Sequence, residues 1–245
     1  MQRVYSIKSL WKGFLDLLFP RSCIQCKGLV AKTGLNFICE HCVQDFYWIH
    51  YPCCQRCAYP FFGRISGEKD CPQCAQLQPS FDKGRALFFM KGIGTKLIHS
   101  LKYSKNCFVI EDIKSLLRQD QALLSFLEGA SLVPVPLHPK RHRQRGFNQS
   151  LLIAKVLASL VPGLSIAPVL VRKRATLSQT HLNKEDRQKN VKNSFDLSKK
   201  STISTSMRYV LVDDVFTTGA TLNACSTVLK KAGAQRVDLF VLGRG

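Results

Sequence analysis

The sequence predicts an α/β protein with a largely parallel sheet, preceded by a small metal-binding module. Three observations predict it. From Phe81 onward, apolar runs bounded by turn residues alternate with helical patterns. One of these runs, Tyr209 to Val212, ends in Asp213 and Asp214 and leads through VFTTGATL (Val215 to Leu222) into a helix. Finally, nine of the eleven cysteines lie between Cys23 and Cys74.

A chain of 245 residues with 45% hydrophobic content can bury one substantial core and still carry a smaller module, which excludes a disordered protein. Its formal charge of +20 predicts attraction to polyanions. The excess is uneven: residues 1–79 have a net charge of +4 and residues 80–245 of +16, and residues 138–192 hold 12 basic against 2 acidic residues. The opening segment, 1–20, has a basic start, but Lys12 and Asp16 interrupt any signal-peptide core, and it is too short to span a bilayer. It is expected to be an amphipathic helix packing through Leu10, Phe14, Leu17 and Leu18, with membrane-surface contact as the alternative. No other segment reads as transmembrane, so the expected location is cytoplasmic.

Within residues 21–79, eight cysteines form four CxxC pairs. A CxxC turn places two thiolates on one side of a tetrahedral ion, and a second turn at short range completes the site. Twelve residues separate the first pair from the second and thirteen the third from the fourth, so consecutive pairs are expected to share a metal. This predicts two structural zinc sites, Cys23, Cys26, Cys39 and Cys42, then Cys54, Cys57, Cys71 and Cys74. A disulfide framework is the rival reading, but it needs an oxidising compartment. A thioredoxin-like centre needs one CxxC on a βα unit, not four. Cys53 offers itself as a substitute for Cys54 in a CxxxC, His41 reads as a surface residue, and Cys107 and Cys225 read as buried apolar residues.

A linker near Gln76–Ser80 leads into the body, residues 80–245. There the pattern gives a strand at 85–90, a helix at 95–103, helices at 107–119 and 121–128, and a strand at 130–136 that ends in a turn. A helix follows at 149–160 after Asn148, then a strand at 166–171 and a polar basic loop at 172–192. Strand, helix and strand at 209–214, 220–232 and 235–242 complete the chain.

In an open α/β sheet, ligands bind beyond the carboxyl ends of the strands, where Asp213 and Asp214 sit. The turn after them suits an anion: amides at a helix start, the positive helix end, and hydroxyls at Thr217, Thr218 and Thr221. Gly219 lets the backbone approach the ligand closely. Two carboxylates would repel a phosphate unless they faced another group, and vicinal ribose hydroxyls, with or without a bridging Mg²⁺, are the natural partner. The bland reading of the pair is a solvated turn capping the helix. GlyIleGlyThrLys (92–96) lacks the spacing of a nucleotide loop, and His99, His138, His142 and His181 lack metal-ligand spacing.

VDDVFTTGATL (212–222) resembles the phosphoribosyl pyrophosphate (PRPP) motif of type I phosphoribosyltransferases. The four CxxC pairs, then VPVPLHPKRHRQRGFNQ (133–149), then SQTHLNKEDRQKNV (178–191), make the chain similar to the ComF/GntX family from about Cys23 onward. The resemblance implies a type I phosphoribosyltransferase-like sheet with helices on both faces behind a double zinc ribbon. It places ribose hydroxyls on Asp213 and Asp214, and the 5′-phosphate on Thr217, Thr218, Gly219, Ala220 and Thr221. It puts the loop after Pro136 toward pyrophosphate, with Arg141, Arg143 and Arg145 as contacts for pyrophosphate or DNA, and makes Gln179, Arg187 and Asn190 part of a flap. No catalytic residue is assigned.

The family is associated with natural transformation, which implies binding of PRPP with Mg²⁺ and of single-stranded DNA, with other DNA-uptake or recombination proteins as further partners. The alternative is an active phosphoribosyltransferase acting on a nitrogen acceptor, because the fold alone does not decide activity. A third reading is a scaffold that docks partner proteins through its ribbons. The bland reading of the three arginines is an exposed basic loop.

Overall fold

The computed structural model describes residues 21–30, 33–61, 69–103, 108–173 and 193–245. The expected amphipathic segment at 1–20, Cys107, and the flap residues Gln179, Arg187 and Asn190 lie outside the described residues.

The cysteine module contributes two short helices, α1 (Glu40–Val43) and α2 (Pro72–Leu77), each beginning just after a cysteine of a CxxC pair. The body opens with strand β1 (Gly84–Phe89), helices α3 (Gly92–Tyr103), α4 (Ile110–Arg118) and α5 (Gln121–Leu127), and strand β2 (Ala130–Pro134). Next come α6 (Pro139–Arg145), α7 (Gln149–Leu160), β3 (Ser165–Ile166), β4 (Leu170–Arg172) and β5 (Phe195–Leu197). Strand β6 (Arg208–Phe216), helix α8 (Ala220–Lys231) and strand β7 (Arg236–Arg244) close the fold.

Five strands form a parallel sheet in the order β1-β7-β6-β2-β3. The centre belongs to β6 and β7, whose continuous apolar runs are buried on both faces as parallel strands require. One face is covered by α3, α4, α5 and α7 through Leu97, Leu101, Ile113, Leu117 and Leu157 against Val210, Val212 and Phe240. The other is covered by α8 through Leu222, Cys225 and Leu229 against Leu211, Leu239 and Val241. Helices therefore lie on both faces.

The structure departs from the sequence reading in three places. The single strand expected at 166–171 is two. Pro168 has no N–H to extend the ladder, and Val169 N–H donates to the Ala167 carbonyl at 2.8 Å in a tight turn. As a result β3 stays in the main sheet while β4 pairs antiparallel with β5. The arginine-rich loop after Pro136 contains a helix, α6, with Pro139 in its first turn and Gly146 at φ 82° as its left-handed stop. The expected linker is fastened to α8: Ser80 N–H donates to Asn223 Oδ1 at 2.7 Å, and its hydroxyl meets that of Thr227 at 2.9 Å.

The cysteine module is also stitched to the sheet edge. Phe89 N–H donates to the Tyr47 carbonyl, Ile49 N–H to that of Leu87, and Gly84 N–H to that of Gln55. A Cβ at Gly84 would lie 2.2 Å from the Arg56 carbonyl, so only glycine lets the backbones approach this closely.

Candidate functional site

A cleft of about 250 Å³ opens beyond the carboxyl ends of β2 and β6. Val135, Pro136 and Leu137 line one side, and residues 213–222 form the floor and the opposite wall. Asp213 and Asp214 share this cleft but are held by different elements. Asp213 Oδ1 accepts from the Ser150 hydroxyl of α7 at 2.8 Å and from the Asp214 N–H at 2.9 Å. Asp214 Oδ2 lies 3.1 Å from Lys102 Nζ of α3 and, though buried, has no well-angled hydrogen bond. Burial, then the neighbouring Asp214 charge, push the Asp213 carboxyl up to about 7, against the opposing donation from Ser150. A carboxyl pair in this state favours a ligand that brings donors or a cation.

The turn 217–221 needs glycine for packing on the protein itself, not on the ligand side that the sequence suggested. Gly219 has φ 78°, and a Cβ there would fall 2.5 Å from the Phe216 ring and 2.9 Å from Leu77. Ala220 N–H reaches Thr218 Oγ1 at a long 3.4 Å. The residues at the start of α8 line the cleft together with Thr217, Thr218 and Thr221, a setting that suits an anion.

Cations gather opposite. Lys102, Arg141, Arg145 and Arg172 line the cleft, against the two carboxylates. Arg141 and Arg145 are four apart on α6 and share a face, whereas Arg143 points to solvent. The three arginines grouped in the sequence are thus divided by helical periodicity. Arg145 donates to Gln149 Oε1 at 3.0 Å and sits 5.5 Å over the ring of Tyr103, an exposed residue at the rim. Burial and then the adjacent Arg141 charge lower the proton affinity of Arg172, a crowding of like charge that an anion would relieve.

The cysteines form two tetrads, Cys23/Cys26/Cys39/Cys42 and Cys54/Cys57/Cys71/Cys74, with ligand atoms within 4.8 Å of one another. The sulfurs of Cys26 and Cys39 are 3.6 Å apart and those of Cys57 and Cys71 are 3.4 Å apart. Tetrahedral zinc with Zn–S bonds of about 2.3 Å needs about 3.8 Å between sulfurs, so both sets fit. Hydrogen bonds among the thiols push Cys54 down and Cys74 up, and all four ionise together only around a cation. Cys53 lies outside both tetrads, and His41 is in neither.

Residues 14–75 match the double zinc ribbon domain and residues 142–244 the phosphoribosyl transferase domain. The chain is 31% identical to the DNA utilization protein YhgH of Salmonella typhimurium, over 88% of this chain and 99% of that protein. It belongs to the ComF/GntX family. Competence protein F of Haemophilus influenzae is 28% identical over 92% of this chain and 98% of its own length. Competence protein ComFC of Streptococcus pneumoniae is 28% identical over 75% and 84%. The ComF/GntX chain thus joins two structural zinc sites to a phosphoribosyltransferase-like fold, and among the described residues no helix is long and apolar enough to cross a membrane.

Several residues of this ComF/GntX site escaped the sequence reading, Ser150 and Gln149 among them. Lys102 and Arg172 line the cleft from α3 and β4. Gln73, inside the fourth CxxC, donates through Nε2 to the Thr217 carbonyl at 2.8 Å, and Arg244 reaches the carbonyls of Phe216 and Thr217 at 3.4 Å each. Lys102 carries a local signal, a cation ending an apolar helical stripe. The contacts of Gln73 and Arg244 join residues more than 140 positions apart in the case of Gln73 and across the sheet in the case of Arg244, and no local pattern announces them.

Proposed function

We propose that this ComF/GntX protein binds PRPP with Mg²⁺ in the cleft and holds single-stranded DNA along its basic rim, in the cytoplasm. One observation carries the reading: a turn suited to an anion, a carboxylate pair and four cations line one cleft. In this assignment Asp213 and Asp214 take the ribose hydroxyls, and Thr217, Thr218, Gly219, Ala220 and Thr221 take the 5′-phosphate. Arg141, Arg145, Lys102 and Arg172 surround the pyrophosphate. Asp213 and Asp214 are the carboxylates that would hold Mg²⁺, which would neutralise charge on the pyrophosphate. Gln179, Arg187 and Asn190 belong to a segment assigned to cover the bound ligand. The chain divides as an amphipathic 1–20, a double ribbon 21–79 and a sugar-phosphate domain 80–245.

The DNA assignment rests on the basic excess of residues 138–192 and on Tyr103 beside Arg145 at the cleft mouth. An exposed ring next to a guanidinium offers a base a stacking surface and a phosphate contact together. The names of the relatives, which speak of competence and DNA utilization, support a DNA-related role.

Calorimetric titration of the zinc-loaded protein with PRPP and Mg²⁺ tests the reading. Binding is expected, and Asp214→Ala is expected to weaken it about ten- to hundred-fold, the loss of charge-assisted hydrogen bonds of about 1.5–3 kcal/mol. Absence of heat with intact protein removes it. Pyrophosphate release during the titration would instead favour the transferase alternative.

A further inference from the structure

We infer that Gln73 and Arg244 make the second zinc ribbon a positioning element of the phosphate turn, so that metal at Cys54/Cys57/Cys71/Cys74 and ligand in the cleft are energetically coupled. The inference deepens the proposed function and rests on it where the ligand is PRPP.

Arg244 is fully buried near the end of β7, beside Phe216 of β6. Its guanidinium lies between the rings of Phe216, at 4.6 Å, and Tyr59, at 5.2 Å. Burying such a charge costs several kcal/mol unless donors and charge are matched. The donors are largely matched: they reach the carbonyls of Phe216, Thr217 and Gly245, Gln73 Oε1, and Cys57 Sγ at 3.6 Å, leaving Nε without a partner. Among the described residues no Asp or Glu side chain pairs with it. A cysteine tetrad closed around Zn²⁺ would add counter-charge through Cys57, because four thiolates around one Zn²⁺ leave a net charge of about −2, beside the Gly245 oxygen that the guanidinium also contacts.

The same guanidinium fixes two consecutive carbonyls at the base of the turn that is to hold phosphate. Gln73 adds a second tie, accepting from Arg244 through Oε1 and donating to the Thr217 carbonyl through Nε2. Leu77, at the end of α2, sits where a Cβ on Gly219 would fall. Cys57, Arg244 and the turn therefore form one contiguous chain of contacts, and a zinc ion held by Cys57 would extend it. Removing that metal would weaken the negative charge beside Arg244 and loosen α2, so that the turn would lose support. The first tetrad packs into the other buried cluster, whereas the second shares its cluster with Phe216 and Ala220. The first ribbon is held by Asp112 of α4, whose carboxylate accepts from the Asn36 and Phe37 amides, on the opposite face of the sheet.

The test uses the full chain with both zinc ions. Arg244→Met keeps most of the volume and removes the charge; Gln73→Leu, at a partly exposed position, guards against a folding failure of the first. In ligand-free protein, amide hydrogen exchange of residues 217–221 is expected to quicken about tenfold in either variant, while residues 33–46 of the first ribbon are unchanged. Saturating PRPP is expected to slow release of one zinc, and not the other, to a chromogenic chelator in the parent, by the reciprocity of linkage. Both variants should lose that protection. Unchanged exchange at 217–221 in both variants overturns the inference whether or not PRPP binds. Bound PRPP that protects neither zinc, or both equally, overturns it as well. A parent that fails to bind PRPP overturns the ligand reading alone, and the exchange comparison still decides the coupling.

Discussion

The first ribbon meets the body through an anion and the second through a cation. In the first, the buried Asp112 carboxylate accepts Asn36 N–H at 2.7 Å and Phe37 N–H at 2.8 Å, and the contact faces the helical layer of α4. In the second, buried Arg244 connects Cys57 to the carbonyls that begin the turn 217–221. Two modules with the same ligand set and nearly the same spacing therefore make different contacts with the body. A metal site acquires its role from what its outer contacts touch, here a scaffold helix in one case and a ligand turn in the other.

Removing metal produces the largest effect. The protein is expected to contain two zinc ions, and chelation should unfold residues 21–79, since each structural site contributes on the order of 10 kcal/mol of apparent binding free energy. Metal analysis and far-ultraviolet circular dichroism before and after chelation check this, and a content of one zinc or none contradicts it. Cys53→Ser should leave both ions in place, because Cys53 lies outside the tetrads.

A sharper contrast comes from Asp112→Ala. The change leaves two half-buried backbone amides and the Asn36 side-chain amide without their acceptor and is expected to lower stability by about 1.5–3 kcal/mol, while PRPP affinity stays within about threefold of the parent. Urea unfolding and calorimetry measure the two quantities separately. A tenfold loss of affinity would show that the first ribbon also supports the cleft.

The raised Asp213 carboxyl gives a pH test of the cleft itself. Its folded value near 7 lies above the ordinary 3.8, so the folded state holds the proton more tightly. The associated stability is fully present below pH 3.8 and is lost as pH rises through about 7. Relative to Asp213→Asn, the ligand-free parent should lose stability between about pH 4 and pH 7, by at most about 4 kcal/mol and by less where water entering the cleft screens the charge. PRPP with Mg²⁺ should bind more tightly across the same rise. Parallel melting curves for parent and variant over this range would refute the assignment of that proton to Asp213.

The smallest effect separates the arginines. Arg141→Ala and Arg145→Ala should weaken PRPP binding, whereas Arg143→Ala should leave it unchanged. For a single-stranded oligonucleotide, Arg143→Ala is expected to reduce the slope of log affinity against log salt by about 0.7, one phosphate contact, with weak sequence preference. An unaltered slope would remove Arg143 from the DNA surface.

Where the sequence was legible, a local pattern sufficed. Helix α7 has the expected bounds, 149–160, because Asn148 caps it and its apolar residues repeat at helical spacing. Strand β6 follows from its apolar run, and the tetrads follow from spacing alone. Helix α6 was not legible because PKRHRQR has no apolar stripe; only Pro139 and Gly146 mark its ends. The strand at 166–171 breaks at Pro168, which interrupts the ladder inside a run that is otherwise mostly apolar. Gln73 and Arg244 read locally as polar fillers beside a cysteine and at a strand end. Their meaning arises only when the second ribbon is laid beneath α8, which is a property of the tertiary fold.

The claim that the two ribbons differ in function is tested most directly by PRPP affinity in a matched pair, Cys39→Ser and Cys71→Ser, each shown by metal analysis to retain one zinc. Cys39→Ser is predicted to bind within about threefold of the parent, and Cys71→Ser to lose at least about tenfold, a coupling of about 1.4 kcal/mol or more. Equal affinities in the two variants, against a parent that binds, would contradict the account.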